Sequence, residues 1–380
     1  MKGFCKKAFA SCPEGLEDLL AEEINNLGGV NITSSKRFVF FECSIDIFYR
    51  LHFRSRIAFR FYREITRFTC TDKYNLYKGV QSSFDWATWI TPEKTFSVKV
   101  TGKTGQLRHS HFTALEVKNA IVDLQQAVFK QRSSVSKTKP DLIIHVHLYN
   151  STAILSLQGT IDSLHKRGYR PAMADASLKE NLAAGLMKFT EWNGEKPLID
   201  LMCGSGTFLI EGILQNLNEP LVKEHYLFQN WYDFKEEIFL SERSKIIKEY
   251  FVKKKISKVI GCEINQFIYN QAKENILLAG VADYIDLYNI NFSNLDIKNI
   301  SSEGIIICNP PYGKRLGDEE ELIDLYRSIG NYLKKNFSGW TFWLLSGNSY
   351  LTQYLKMKSS LKIPVSNGGI DCRWIKYKIK

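Results

Sequence analysis

The sequence predicts an α/β protein, in which a doubly wound parallel sheet occupies the C-terminal half and two smaller α+β units precede it. Three observations support this fold class. Beyond residue 171, short apolar segments alternate with segments of helical periodicity, as parallel strands joined by crossover helices do. One apolar segment, Leu198–Met202, runs into a glycine-containing turn and then into a helical segment from Phe208. The first 162 residues hold strands and helices without this regular alternation.

The composition is that of a globular protein. The chain has 380 residues, of which 44% are hydrophobic and 24% charged, and this length predicts two or three domains. No apolar run approaches about 18 residues, so we expect no transmembrane helix. The first residues lack the apolar core of a signal peptide, and the eight cysteines form no Cys-x-x-Cys pair. We therefore expect reduced thiols and a cytoplasmic protein.

The positive charge is concentrated in the N-terminal part of the chain. Residues 1–170 hold 25 Lys and Arg against 15 Asp and Glu, an excess of ten, whereas residues 171–380 hold 26 against 25. Such an excess is typical of a surface that binds a polyanion. Ordinary solubility charge is the alternative interpretation.

Residues 1–65 predict a first α+β unit. Apolar residues spaced three and four apart from Leu16 to Leu27 indicate a helix, which Gly28 and Gly29 end. Strands are expected around this helix at Lys6–Ala10, Arg37–Phe41 and Ala58–Ile65.

Residues 66–162 predict a second α+β unit. A strand is expected at Thr95–Thr101 and a helix at Ala114–Phe129. The segment Leu142–Leu157 predicts a hairpin, with its turn near Asn150 and Ser151.

Residues 163–380 predict a basic connector, His165–Pro171, followed by the doubly wound domain. A last hairpin is expected to turn at Asn367–Gly369, and residues 215–257 are too long for one crossover, so they predict an inserted helical element. The apolar runs that predict strands are Pro197–Met202, Lys258–Glu263, Tyr284–Asn289, Gly304–Asn309, Thr341–Leu345, Lys362–Val365 and Trp374–Ile379.

Residues 309–313 read Asn-Pro-Pro-Tyr-Gly and directly follow the apolar run 304–308. The two prolines fix the backbone and remove two N–H donors, which leaves carbonyl oxygens and the Asn309 amide at the strand end. Such acceptors suit the exocyclic amine of a planar base, and the Tyr312 ring suits stacking on its face. A proline-rich loop after a core strand is the alternative.

Polar residues also stand at or near the carboxyl ends of three other predicted strands, at Asp200, Glu263 and Asn291. The turn after Asp200 consists of Cys203, Gly204, Ser205, Gly206 and Thr207. A glycine-containing turn of this kind lets the backbone approach a ligand closely at the N-terminus of the following helix. A dinucleotide fingerprint needs a third glycine, where this chain has Leu209, and an acid about 20 residues further on. Glu263 lies 63 residues after Asp200, which argues against a dehydrogenase. Ordinary loop carboxylates are the alternative.

Residues 309–312 resemble the Asn-Pro-Pro-Tyr motif of class I amino-methyltransferases that act on nucleic acids, and residues 203–207 resemble the first motif of that class. The resemblance implies S-adenosylmethionine as cofactor, with its methionine end at the turn. It implies that Glu263 accepts from both ribose hydroxyls and that Asn291, where the family usually has an Asp, lies beside the adenine. The implied cofactor-binding residues are Asp200, Cys203, Gly204, Ser205, Gly206, Thr207, Glu263, Asn291 and Asn309.

The order of further segments resembles the THUMP-domain RNA guanine-N2-methyltransferases, which include bacterial 23S rRNA enzymes. These segments are Cys12–Glu17, Thr71-Asp72, Leu76-Tyr77, His111–Ala114, Val117–Asp123, His165–Arg170 and Leu178–Ala183. The resemblance covers nearly the whole chain, although Asn119 stands where an Asp is expected. It implies a ferredoxin-like domain over 1–65, a THUMP RNA-binding domain over 66–162, and a linker with a Rossmann-like methyltransferase domain over 163–380.

The resemblance also implies structured RNA as the partner of the basic N-terminal surface. Phosphate contacts of this kind fix position without reading the base. Simple solvation of the same side chains is the alternative. We expect neither a membrane partner nor a metal site. The candidate RNA-binding residues are Lys103, Arg108, Lys118, Arg167 and Arg170.

The expected reaction is methyl transfer to the N2 amine of guanine in 23S rRNA. Asn309 Oδ1 and the Pro310 carbonyl would accept the protons of the amine and Tyr312 would stack on the base, so these three are the expected catalytic residues. Three alternatives remain open. The protein could methylate guanine N2 in tRNA, it could be a DNA adenine-N6 methylase, or it could be a non-catalytic RNA-binding assembly factor.

Overall fold

The computed structural model describes residues 6–170, 178–250, 255–298, 300–311 and 319–380. The described residues form two compact units, and the chain passes between them more than once. The first unit takes the described residues up to Cys12 together with Leu20–Leu164 and Leu221–Ile246. The second unit takes the described residues of Pro13–Leu19, His165–Pro220 and Ile247–Lys380.

The first unit is built on a sheet that has seven strands among the described residues, in the order β2-β3-β1-β4-β7-β6-β5. Strand β5 pairs with β6 in parallel, and the other neighbours are antiparallel. The strands are β1 (Lys6–Ser11), β2 (Val30–Ser35), β3 (Phe38–Cys43), β4 (Arg60–Thr69), β5 (Phe96–Gly102), β6 (Leu142–Tyr149) and β7 (Thr152–Gln158). The helices in this part of the chain are α1 (Glu17–Asn26), α2 (Ile45–Arg54), α3 (Lys73–Ser83), α4 (Trp86–Trp89) and α5 (Ser110–Phe129).

The hairpin predicted over Leu142–Leu157 is confirmed as β6 and β7. Its turn residues Asn150 and Ser151 have φ of 44° and 58°, the left-handed values that a tight two-residue hairpin turn requires. Helix α5 begins at Ser110, four residues before the predicted start. Strand β2 was not predicted because it is an exposed, mostly polar edge strand without an alternating apolar pattern.

The segment Leu221–Ile246 supplies part of the core of the first unit. Phe228 contacts Tyr49 with ring centroids 4.8 Å apart. The guanidinium of Arg63 lies 4.3 Å from the Trp231 ring centroid and donates to Asp233 at 3.0 Å. The segment therefore packs as an integral part of this unit. The inserted helical element predicted over 215–257 is present as a 3₁₀ turn at Leu227–Asn230 and as α8 (Glu236–Tyr250).

The second unit contains a sheet of seven strands, counted over the described residues, in the order β10-β9-β8-β11-β12-β14-β13. The first five strands run parallel, and β14 lies antiparallel between β12 and β13. The strands are β8 (Leu198–Asp200), β9 (Val259–Cys262), β10 (Ile285–Tyr288), β11 (Ile305–Cys308), β12 (Thr341–Ser346), β13 (Ser359–Asn367) and β14 (Ile370–Lys378). The helices are α6 (Glu180–Thr190), α7 (Thr207–Asn216), α9 (Gln266–Leu278), α10 (Glu319–Asn336) and α11 (Ser349–Thr352), with 3₁₀ turns at Ala282–Tyr284, Phe292–Asn294 and Gln353–Leu355.

The parallel strands lie where the apolar runs predict them, although most are one or two residues shorter at an end. The strands β8 and β9 are buried along their whole length, as central strands of a parallel sheet are, whereas the edge strand β10 is partly exposed. The predicted last hairpin is confirmed as β13 and β14, with its turn at Gly368 and Gly369. In the described part of the chain, no helix combines the length and apolar character needed to cross a membrane.

Candidate active site

Three predicted site residues lie at one edge of the second sheet, where adjacent parallel strands end. Asp200 is the last residue of β8 and pairs in register with Gly261 of β9 and Ile307 of β11. Glu263 directly follows β9 and Asn309 directly follows β11. Because the carboxyl ends of these neighbouring strands coincide, the three side chains converge at one edge.

The turn between β8 and α7 is held by backbone hydrogen bonds. Cys203 N–H donates to the Cys262 carbonyl at 2.9 Å, and Gly206 N–H donates to the Cys203 carbonyl at 2.9 Å. Gly204 and Gly206 have φ of 55° and 80°, which L-residues with side chains rarely adopt. A Cβ placed on Gly204 would meet no heavy atom within 4 Å, so the space beside this turn is open to a ligand.

The Glu263 carboxylate joins the glycine turn to the start of α9. One oxygen accepts from Gly204 N–H at 3.1 Å and the other accepts from Asn265 N–H at 2.8 Å. The Asn289 amide donates to the Glu263 carbonyl at 2.8 Å and fixes the backbone. A half-buried carboxylate held in this way keeps lone pairs for two hydroxyl donors.

Asp200 is the buried acid of the site, with 1% of its surface exposed. One of its oxygens accepts from Met202 N–H at 3.2 Å. Burial, with a smaller contribution from the negative charge of Glu263, raises the pKa of Asp200 from 3.8 to about 8, and the Met202 hydrogen bond opposes this increase. Near neutral pH the carboxyl group of the ligand-free protein is therefore largely protonated.

The cysteines at the strand ends are unsuited to nucleophilic catalysis. Burial raises the pKa of Cys203 and of Cys308 well above the usual thiol value, and the nearby acid Asp200 raises both further. The pKa of Cys262 is raised to about 12 for the same reasons. Since the thiolate is the reactive form, these residues act as small side chains in the wall of the site.

Asn291 lies after β10, in an exposed position at the start of the 3₁₀ turn Phe292–Asn294. Its amide oxygen accepts from Ser293 N–H at 3.0 Å and from the Ser293 hydroxyl at 2.9 Å. The Asn291 oxygen that was expected to accept from the adenine amine therefore already accepts two hydrogen bonds from Ser293. An adenine amine would have to compete with these donors. The role of Asn291 in cofactor binding stays a prediction.

Asn309 carries an unusual acceptor. Its Oδ1 atom is buried and has no hydrogen-bond partner among the described residues. Pro310, next to it, is buried and has no N–H to offer. An orphaned buried amide oxygen costs on the order of 1–3 kcal/mol, so this atom is poised to accept from a ligand. Tyr312, the expected stacking residue, lies outside the described residues.

Two exposed apolar residues that follow Glu263 were not predicted as part of the site. Ile264 is 63% exposed and Phe267 is 70% exposed, which is unusual for large apolar side chains. Ile264 directly follows the acid and can cover the face of a planar group bound at Glu263. The available signal was an apolar residue immediately after a strand-end carboxylate. A third residue that was not predicted is Asn275 on α9, which donates to the Ser205 carbonyl at 3.0 Å and holds the glycine turn.

Three of the candidate RNA-binding residues belong to the first unit. Lys103 and Arg108 are exposed on the segment between β5 and α5, and Arg108 Nε donates to the Gly105 carbonyl at 3.3 Å. Lys118 is half-buried on α5. Lys103 and Arg108 are therefore accessible to a phosphate backbone, and their role stays a prediction.

The two arginines of the connector are buried instead. Arg167 Nε pairs with Glu211 at 2.8 Å, and both side chains are at most 3% exposed. Arg170 lies 3.5 Å from Glu180 and donates to the Leu178 carbonyl at 2.8 Å. These pairs neutralise both guanidinium charges, so contact with RNA through them would first require the pairs to open. Pro171, the last residue of the predicted connector, lies outside the described residues.

The described ranges contain no group of three or more His, Cys, Asp or Glu that could hold a metal ion.

Comparison with known proteins identifies the chain. Residues 167–376 match the model of the RMKL-like methyltransferase domain, which covers more than half of the sequence. The chain belongs to the RMKL-like methyltransferase family. Residues 70–158 match the THUMP domain and residues 7–62 match the RlmL ferredoxin-like domain. The resemblance and the fold class predicted from the sequence are therefore confirmed.

Individual relatives agree with this family. A Synechocystis protein, provisionally named as an RNA methyltransferase, is 38% identical over 98% of this chain and 96% of its own length. The ribosomal RNA large subunit methyltransferase K/L of Aliivibrio fischeri is 35% identical over 98% of this chain but only 54% of its own length. The chain thus spans about half the length of the K/L enzymes that it matches.

Solved structures confirm the fold. A protein provisionally described as a methyltransferase, crystallised with SAH, has a TM-score of 0.88 and 24% identity over 100% of this chain and 99% of its own. The cofactor of this methyltransferase family is S-adenosylmethionine, as the sequence analysis predicts.

Proposed function

We propose that the protein is an S-adenosylmethionine-dependent RNA methyltransferase that forms N2-methylguanosine in 23S rRNA. The observation that carries the proposal is the buried Asn309 Oδ1, for which the described residues supply no hydrogen-bond partner, at the edge where the glycine turn and Glu263 also lie. An acceptor without a donor, followed by Pro310 with a second carbonyl, matches the two N–H groups of an exocyclic amine.

The residues present fit S-adenosylmethionine. The open space beside Gly204 leaves room for it, and the oxygens of Glu263 suit its ribose hydroxyls. Ile264 would cover its base. The cofactor supplies an activated methyl group on a sulfonium, so the protein needs mainly to orient the nucleophile.

Asn309 and Pro310 would orient the amine. Guanine N2 is a poor nucleophile because its lone pair is delocalised into the ring. Hydrogen bonds from its two protons to Asn309 Oδ1 and the Pro310 carbonyl favour a more localised lone pair that points towards the methyl group. The methylated amine is acidic and can lose its proton to water or through Asn309, so the reaction requires no strong base. A guanine within a helix must first be unstacked, which costs a few kcal/mol.

RNA as substrate is supported by the names of the relatives and by the charge of the chain. The Synechocystis and Aliivibrio proteins are named for RNA and for large-subunit ribosomal RNA respectively. The THUMP match and the N-terminal excess of positive charge point in the same direction. The domain limits at 65 and 162, and a cytoplasmic location, remain part of this proposal.

Methyl transfer from labelled S-adenosylmethionine tests the proposal. Purified protein is incubated separately with unmodified 23S rRNA and unmodified tRNA, and the labelled nucleoside is identified. Label in N2-methylguanosine from rRNA alone is the expected result. Label from tRNA alone would show that the substrate is tRNA instead of 23S rRNA. Labelled methyladenosine would show that the methylated base is not guanine.

Two asparagine variants test the site. Asn309→Ala should lower the rate of methyl transfer about 100-fold or more, and any accompanying loss of cofactor affinity should be much smaller than this. Asn193→Ala is the matched control, because Asn193 is exposed in the loop before β8, away from the carboxyl edge. Full activity in Asn309→Ala would refute the assigned role and favour a different site or a non-catalytic RNA-binding factor.

A further inference from the structure

A cavity of about 540 Å³ opens on the first unit, and none of the residues assigned to the reaction lines it. Four strands of the sheet and the first turn of α5 contribute to its wall. Its polar lining residues include Arg60, Tyr62, Lys99, His111, His145 and Gln158.

The cavity carries two cations, and none of its lining residues is acidic. Lys99 lies directly opposite His145 in the parallel pairing of β5 and β6. Burial lowers the pKa of Lys99, the positive charge of Arg60 lowers it further, and the nearby carboxylate of Asp162 partly offsets this decrease. Lys99 is exposed and Arg60 is half-buried, and their positive charges repel one another. A bound anion would relieve this repulsion.

His145 adds an unpartnered polar atom. The residue is 3% exposed and its Nε2 lies 3.1 Å from the Thr101 hydroxyl, whereas its Nδ1 has no partner among the described residues. The Thr101 hydroxyl also lies 3.0 Å from His147 Nδ1, so its single proton has two possible acceptors. In the arrangement in which Thr101 donates to His145 Nε2, His145 Nδ1 carries the ring proton and is a buried N–H donor. Arg60 Nε is likewise buried without a partner in the described chain. Both donors lack the acceptor that buried polar groups normally have.

The N-terminus of α5 faces the same cavity. This helix has 20 residues, and its capping residue His109 makes no side-chain hydrogen bond to the first turn. Ser110 and His111, the first two helical residues, line the cavity. First-turn N–H groups and the helix dipole both favour a bound anion.

We propose that this cavity binds one phosphate group of the RNA substrate. Its oxygens would accept from Arg60, Lys99 and His145, and its charge would complement the α5 N-terminus. The cavity is larger than a phosphate group, which leaves room for the adjoining sugars. The identity of the ligand rests on the proposed function, because RNA is the polyanion that this function supplies. Tyr62 and Gln158 complete the wall without adding charge.

The test compares RNA affinity at several salt concentrations. The double variant Arg60→Gln/Lys99→Gln removes both charges and keeps a polar side chain at each position. It should bind RNA at least tenfold more weakly at low salt, and the slope of log affinity against log salt should fall by about 1. Lys137→Gln is the matched control, because Lys137 is exposed in the loop before β6, at the far end of that strand from Tyr149. An equal loss in this control would overturn the proposal in favour of diffuse surface charge.

Inorganic phosphate provides the second arm. It should shift the ¹⁵N resonances of the His145 ring in the wild-type protein and not in the double variant. If phosphate binds but the double variant keeps wild-type RNA affinity, the cavity takes free phosphate, and the RNA assignment is wrong. The thermal midpoint of the double variant should match that of the wild type. Failure of the wild-type protein to methylate any RNA would refute the proposed function, whereas the RNA-affinity and phosphate measurements above would still decide this site.

Discussion

Replacement of Asp200 by Asn gives a quantitative test of the electrostatics at the active-site edge. The substitution keeps the size of the side chain and leaves an oxygen to accept from Met202, but it removes the titration. The pKa of Asp200 is raised from 3.8 to about 8, so between these pH values the folded protein binds more protons than the unfolded chain. Stability contributed by this group is therefore full below about pH 4 and is lost as pH rises towards 8 and above.

The expected magnitude follows from the two pKa values. Each pH unit between them costs about 1.4 kcal/mol, so the wild-type free energy of unfolding should fall by roughly 3–4 kcal/mol relative to Asp200→Asn between pH 5 and pH 8. Because Asp200 is 1% exposed, solvent screening reduces this value little. The assay is urea unfolding of the cofactor-free protein, monitored by tryptophan fluorescence, at four pH values.

The control is Asp286→Asn, which changes an exposed acid on β10 of the same unit. Its stability difference from the wild type should vary by less than about 1 kcal/mol over the same pH range. The reasoning is refuted if the Asp200→Asn difference is flat, or if it changes in the opposite direction. The latter result would mean that the folded protein keeps Asp200 ionised.

Three further predictions concern positioning and stability. Glu263→Gln leaves one amide oxygen where two carboxylate oxygens accept backbone N–H groups, so calorimetry should show cofactor affinity reduced about tenfold, by roughly 1.4 kcal/mol. Unchanged affinity would contradict its assignment. Asn275→Ala removes the donor to the Ser205 carbonyl, so urea unfolding should show a free energy of unfolding lowered by about 1–2 kcal/mol, and cofactor binding should weaken. If neither quantity changes, the glycine turn does not depend on this hydrogen bond. Arg63→Ala removes a charged hydrogen bond to Asp233, which keeps Lys6 as a partner, and should cost about 1.5–3 kcal/mol; an unchanged thermal midpoint would refute the role of Arg63 in holding residues 221–246.

The sequence predicts the positions of those candidate site residues that lie at the ends of parallel strands. Asp200, Glu263 and Asn309 each follow a short apolar run, and parallel strands bring such ends to one edge whatever the loops between them do. Asn291 lies after β10 as predicted, but its amide oxygen accepts from Ser293 N–H. This local hydrogen bond competes with the expected bond to adenine, and the residue type alone does not predict it.

The burial of the connector arginines was not predictable in the same way. Arg167 pairs with Glu211, 44 positions along the chain, and nothing near either residue indicates the partner. A run of basic residues looks the same whether its charges are solvated or paired. The association of Leu221–Ile246 with the first unit was missed for the same reason, since its aromatic residues predict burial but not what they are buried against.

The placement of Leu221–Ile246 has a consequence for synthesis of the chain. The ribosome synthesises the ferredoxin-like and THUMP segments well before it reaches Phe228 and Trp231. The rings of these two residues complete the core around Phe48. The first unit therefore cannot complete its apolar core until translation has passed residue 246, and until then part of that core is exposed to solvent. A fragment cut at residue 164 would keep that exposed interior permanently, so it should aggregate unless residues 221–246 are supplied to it as a separate peptide.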